Sequence, residues 1–196
     1  ADGLRTVLRV VAGEPVTEIL EAVVDDHIDV VAMATHGAGA TREAGWGSVA
    51  ECVVRACPVG VLLVGPSGVV LHDDDAQYRR ILLVLDERGL VAAALDQAVA
   101  LAAGAGAELT LLLDKATETA TTRLELERRG LSAARVVPLH GPPARAILTE
   151  AREHGVDLLA LSGRPRSPLS PWPLDRVIEA VARKAPCPVL FLRASS

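Results

Sequence analysis

Apolar residues in this chain alternate between two kinds of run. Short, nearly continuous runs of Val, Leu, Ile and Ala suit strands buried on both faces. Longer stretches with apolar residues three and four apart suit helices packed by one face. Residues 6–11 read as a strand, and 16–27 as a helix with Ile19, Leu20, Val23 and Val24 on one face. The run VVAMA at 30–34 reads as a strand buried on both faces. A glycine-rich loop over 35–47, a helix over 48–56 and a strand over 59–64 follow. After a polar, acidic stretch come strands at 80–85, 108–113, 135–139, 157–161 and 189–193. Helices are expected between them at 90–103, 117–129, 143–154 and 174–184. Gly104 and Gly106 stop the first of these. Strands alternating with helices predict parallel α/β layers.

The pattern repeats. Laid over itself so that Gly13 meets Gly141, the chain runs without a gap to Ala32 on Ala160. Gly13, Pro15, Ile19, Leu20, Asp29 and Ala32 meet Gly141, Pro143, Ile147, Leu148, Asp157 and Ala160. Further on, Cys57-Pro58-Val59 meets Cys187-Pro188-Val189, with two extra residues in the second loop. The repeated unit is strand, helix, strand, loop, helix, strand. A strand–helix–strand segment at 80–113 occurs once; by the repeat, its first copy would fall upstream of Ala1. A missing N-terminal piece is the expected reason. The 80–113 segment swapped into the first unit, or a second chain, would also fill the gap.

Composition narrows the function. Half of the 196 residues are hydrophobic, and only five are Phe, Trp, Tyr or Met, so the core is aliphatic. A formal charge of −5 gives no basic face for nucleic acid. No apolar run approaches the roughly 18 residues of a membrane span. The opening residues do not form a secretory signal. Cys52, Cys57 and Cys187 are too few and scattered for a zinc site or disulfide framework, and a cytoplasmic location is expected.

The stretch from 34 to 48 is the candidate for chemistry. A loop between a strand's C-terminal end and a helix N-terminus presents free N–H groups, and the helix dipole favours an anion. Gly37 and Gly47 bracket nine residues, and Ser48 follows. This resembles the nucleotide-binding signature of the universal stress protein family: Gly-x-x-Gly, nine residues, then Gly-Ser or Gly-Thr. Gly37, Gly47 and Ser48 match, whereas the first glycine falls on Ala34. The run CPVGVLLV is similar to the family's last strand. The resemblance covers nearly the whole chain. It implies Rossmann-like parallel sheets of the universal stress protein (adenine nucleotide alpha hydrolase-like) type, in two units with pseudo-twofold symmetry. Each complete unit would have strand order 3-2-1-4-5. Residues 1–66 would be the back half of a first unit, 67–78 a linker and 79–196 a second unit. Strands 59–64 and 189–193 would meet where the units touch.

The resemblance also assigns site residues, each with a plainer reading beside it. Gly37 and Gly47 would let the backbone approach phosphates, or serve positive φ in a loop. Ser48 would offer its hydroxyl to phosphate, or cap the helix in a box with Glu51. His36 stands where the family often has histidine, but a loop histidine bonding backbone is the plainer reading. Arg42 beside Glu43 reads as a solvated pair. In the second unit the signature is lost: Val177 and Ile178 replace the Gly-Ser pair, and Arg164 and Arg166 sit in a loop with four prolines. That unit keeps Asp86, which the family implies as the adenosine contact. With 80–113 expected to pair within the second unit, the phosphate and adenosine halves would be separated.

No catalytic constellation and no metal-ligand spacing is visible, so no enzyme is expected. The leading reading is a stress-response regulatory protein binding ATP or a related adenine nucleotide, with no metal beyond nucleotide-associated Mg. It would be a homodimer or an intrachain pseudo-dimer. The alternative is an interaction or dimerisation module binding no nucleotide, such as the cytosolic regulatory part of a transporter.

Overall fold

Glycine, proline and aspartate punctuate the apolar runs, and the elements form between them. The computed structural model describes residues 6–35, 47–65, 78–85, 92–113, 119–130, 134–162 and 174–193. In order they are α1 (Pro15–Asp25), β1 (Val30–Ala34), α2 (Ser48–Ala56), β2 (Gly60–Val64), β3 (Arg80–Leu85), α3 (Ala92–Ala105) and β4 (Glu108–Leu113). There follow α4 (Thr119–Arg128), β5 (Arg135–Pro138), α5 (Pro143–Glu153), β6 (Leu158–Ser162), α6 (Leu174–Lys184) and β7 (Val189–Leu192).

The strands form one seven-stranded sheet in the order β1-β2-β7-β6-β3-β4-β5. All neighbours are parallel except β2 and β7, which run antiparallel. The expected contact between the Cys-Pro-Val strands is therefore edge-to-edge pairing, and it fuses two sheets into one. Val61 pairs with Phe191, its own counterpart in the repeat, so the pseudo-twofold axis passes through that pair. The 80–113 segment lies in the second half, with β3 between β6 and β4.

Alternation along each strand sorts its side chains between two layers. On one face α1, α2, α5 and α6 share a core with Val53, Val61, Leu63, Leu82, Ile147, Leu159 and Val181. On the other, Leu95, Ala98 and Ala102 of α3 and Leu126 of α4 cover Leu83, Leu111, Leu158 and Ala160. Alanine dominates the inner side of α3, which lets the helix lie close to leucine-rich strands.

Two strand expectations are corrected. β1 is not buried on both faces: Val31 and Met33 are half-buried, while Val30, Ala32 and Ala34 are exposed. Its counterpart β6 is buried throughout. The difference is cover, since β6 has β3 at its edge and α3 over its face, and β1 has neither among the described residues. Residues 6–11 form no strand, and Val7, Leu8 and Val10 are 74%, 90% and 88% exposed. Their repeat counterpart is β5, which exists because β4 lies beside it. A strand needs a partner for its N–H and C=O groups, and no described strand adjoins 6–11.

Two details of the turns matter below. Asp157 precedes β6, and its carboxylate accepts the backbone N–H groups of Arg79 and Arg80 at 2.8 and 3.0 Å. It thereby anchors the entry of β3. The α5–β6 turn holds Gly155 at φ 56°, and at the matching place His27 adopts φ 54°. A side chain in that left-handed region is strained. His27→Gly is expected to raise stability by about 0.5–1 kcal/mol, after subtracting glycine's greater unfolded-state freedom. A thermal melt that shows no rise in Tm would count against it.

Candidate functional site

β1 hands over to the loop through Thr35, a residue that sequence reasoning passed by. Thr35 is only 1% exposed. Its N–H donates to the Val64 carbonyl at 3.0 Å, extending the β1–β2 ladder by one step. Its own carbonyl accepts the Gly47 N–H at 2.9 Å, which draws the two ends of the loop together. The available signal was a polar residue directly behind an apolar strand.

Gly47 precedes α2 with φ −62° and ψ 137°, so positive φ is not its reason. A Cβ there would stand 3.1 Å from the Thr35 carbonyl oxygen, and this close approach is what favours glycine. The capping box is also corrected. Gly47, not Ser48, is the N-cap, and no side chain caps the helix. Glu51 instead turns to Arg55, with Oε1 accepting from Nη2 at 2.8 Å. That pairing offsets a carboxylate that would oppose an anion. Ser48 becomes the first helical residue, exposed, with its hydroxyl bonded to no described residue. The N–H groups of Ser48, Val49 and Ala50 have no acceptor within the helix.

Ala34, Gly47 and Ser48 are thus gathered at one end of the first half. Gly37, His36 and Asp86 lie outside the described residues, as do Arg42, Glu43, Arg164 and Arg166. The strand leading to Asp86 is β3. It is separated from β1 by β2, β7 and β6. Four strand spacings of about 4.8 Å put β1 and β3 roughly 19 Å apart. The antiparallel β2–β7 step also reverses direction, so the C-terminal ends of β1 and β3 emerge at opposite ends of the sheet. In α6, Val177 and Ile178 pack against the core well inside the helix, so no Gly-Ser pair opens it.

The opposite end of α2 is held by the second half. An Nη2 N–H of Arg193 donates to the Val54 carbonyl near the helix C-terminus, where a cation suits the dipole. Burial lowers the pKa of Arg193, and Cys57 opposes that shift. Cys57 and Cys187 are buried and Cys52 exposed, all as free thiols. Burial foremost, with Asp157 nearby, pushes the Cys187 thiol up to about 12, so it stays protonated and acts as packing.

Among the described residues, no cluster of His, Cys, Asp or Glu is arranged to hold a metal ion. None of their helices is long and apolar enough to cross a membrane. A shallow cleft of about 420 Å³ lies between β5 and α5, lined by Val137, His140, Arg145 and Glu150. It sits at the far edge of the sheet from β1 and shares no residue with the glycine pattern.

Comparison with known proteins fits this geometry. The model of the universal stress protein family matches residues 1–65 and 112–193. The chain belongs to that family. It is 29% identical over 147 residues to universal stress protein YxiE of Bacillus subtilis, across 59% of this chain and 99% of the relative. A universal stress protein from Archaeoglobus fulgidus is similar in structure, with TM-score 0.70 and 26% identity over 93% of this chain and 68% of that one. The cytoplasmic domain of a prokaryotic cation chloride cotransporter shares the fold at TM-score 0.53 and 16% identity, over 92% of this chain and 70% of that one.

Proposed function

We propose that this is a regulatory stress protein whose first-unit loop receives the phosphates of ATP or a related adenine nucleotide. Residues 1–66 are read as the back half of a first unit, 67–78 as a linker and 79–196 as a second unit. The observation that carries the reading is the uncommitted Ser48 hydroxyl at the N-terminus of α2, beside the Gly47–Thr35 closure. Hydroxyl, helix N–H groups and dipole converge where an anion gains most. Gly37 and His36 would border the same phosphates and Ala34 the strand end. Mg enters only with the nucleotide, no turnover is expected, and the setting is cytoplasmic.

Asp86, the adenosine contact that the family resemblance implies, follows the C-terminal end of β3, which emerges at the other end of the sheet. Residues 1–196 therefore hold two half-sites, and ATP binding is expected to be weak, in about the millimolar range. Ser48→Ala is expected to weaken it a further tenfold or so, the worth of a hydrogen bond to a charged group. Arg164→Ala is expected to change nothing. Ser48→Ala is a cleaner probe than substitution of Gly47, because a side chain at 47 also presses on Thr35. Isothermal titration in which Ser48→Ala and the parent bind ATP equally would remove the assignment. The second reading, an interaction module without nucleotide, is favoured by the edge of β1, which no described strand adjoins. Titration with no heat at millimolar ATP selects it.

A further inference from the structure

The cleft between β5 and α5 carries charge that its described surroundings do not match. Its lining includes the apolar Leu112, Val137 and Ala146, and its volume of about 420 Å³ lies within the range of small-molecule sites. His140, Arg145 and Glu150 add the titratable groups. Glu150 is already committed, because its Oε1 accepts from Nη1 of Arg135 at 2.5 Å and its charge is offset there. Arg145 and His140 are exposed, and neither bonds a described residue.

The internal repeat serves as a control. Ile147 and Leu148 meet the identical Ile19 and Leu20, and both pairs pack on the shared core. At the cleft the match fails: Ala12, Thr17 and Glu18 stand where His140, Arg145 and Ala146 do. Packing of the helix on the sheet therefore does not call for the two basic side chains.

We infer that this cleft binds a small organic acid, its carboxylate held by Arg145 and His140 and its apolar body resting on Leu112, Val137 and Ala146. The Arg145 guanidinium offers a planar fork that matches a carboxylate, and His140 supplies a ring N–H in either tautomer. Two other occupants fit less well. An added peptide strand needs outward donors on β5. The Leu139 N–H donates to the Leu113 carbonyl, so alternation turns Val136 and Pro138 away from β4. Pro138 has no N–H to give, and the edge is blunted. A phosphate needs several donors at once. Pro142 and Pro143 hold the N-cap and the first position of α5, so two of the four N–H groups of a helix start are absent. The cleft shares no residue with Ala34, Gly47 or Ser48, and the inference stands whether or not the nucleotide reading does.

The test titrates the full chain with cinnamate, a planar apolar carboxylate, and follows the backbone amide signals of residues 136–146 by NMR. Saturable shifts are expected with a Kd of about 1 mM, as suits a shallow site and a small ligand. Arg145→Ala is expected to weaken binding about tenfold, the worth of a charge-assisted hydrogen bond. The neutral isostere cinnamamide is expected to bind the parent chain more weakly by a similar factor. Arg145 is exposed, so its loss leaves the core intact, and cinnamamide probes the same charge in the unaltered protein. The absence of saturable shifts at several millimolar cinnamate overturns the inference. Equal binding of cinnamamide, or equal binding by Arg145→Ala, overturns it as well. Shifts confined to residues 35 and 47–50 would assign the anion to the start of α2, against the inference. ATP is expected to leave the cinnamate shifts unchanged, and displacement by ATP would make the cleft part of a nucleotide site instead. An ATP titration insensitive to Ser48→Ala is a separate failure, which touches the nucleotide reading alone.

Discussion

Leu159→Ala is expected to destabilise the protein by about 2–5 kcal/mol, the range for a leucine cut from a close-packed core. Leu159 is fully buried on β6, paired with Leu82 on one side and Val189 on the other. It points into the layer shared by α1, α2, α5 and α6. Ladders on both sides fix the backbone, so the cavity cannot collapse, and the lost contacts add to the lost transfer energy. Val31→Ala, at the matching place on β1, is expected to cost less than about 1 kcal/mol, because that edge is half-solvated already. Urea titrations of both variants check the contrast through their midpoints. Equal losses, or a loss below 1 kcal/mol for Leu159→Ala, would refute this account of the core.

Gly65→Ala is the second large effect. Gly65 follows β2, and a Cβ there would lie 2.4 Å from the Ala182 carbonyl oxygen of α6. The obstacle is backbone, not a flexible side chain, so a helix or a strand exit must shift. The expected cost is about 1–3 kcal/mol, as for other overpacked sites. Gly60→Ala, at the start of the same strand, is the control. Its Cβ would meet the Phe191 carbonyl oxygen at 3.4 Å, an ordinary contact. If Gly65→Ala unfolds within 0.5 kcal/mol of the parent in the same titration, the close approach of β2 to α6 is not real.

Much of this was legible in residue order. The aliphatic runs marked the strands, and the family resemblance, not the periodicity, implied that the two Cys-Pro-Val strands would meet, as β2 and β7 do. What periodicity could not convey was cover. VVAMA and LLALS look alike as sequences, yet among the described residues one lies at the sheet's edge and the other at its centre, because burial depends on neighbours from elsewhere in the chain. Residues 6–11 show the same limit: strand propensity counts only once a partner supplies hydrogen bonds. At the candidate site, the glycine spacing marked the start of a helix, and Gly47 and Ser48 do stand at the N-terminus of α2. The Ser48-x-x-Glu51 pattern misled because Arg55, one turn on from Glu51, competes for the carboxylate. Thr35 was missed because its role rests on two backbone bonds, which any residue type can make.

The antiparallel pairing of β2 with β7 has a consequence for cooperativity. The described residues of the first half form two strands and two helices, too little to stand alone. β2 obtains its second ladder from β7, and α2 has its C-terminal carbonyl held by Arg193. The first half is therefore expected to show no separate melting transition in calorimetry. Damage to β7 reaches Thr35 and Gly47 through Val64, and the end of the molecule that holds them stays folded only as long as the opposite half does.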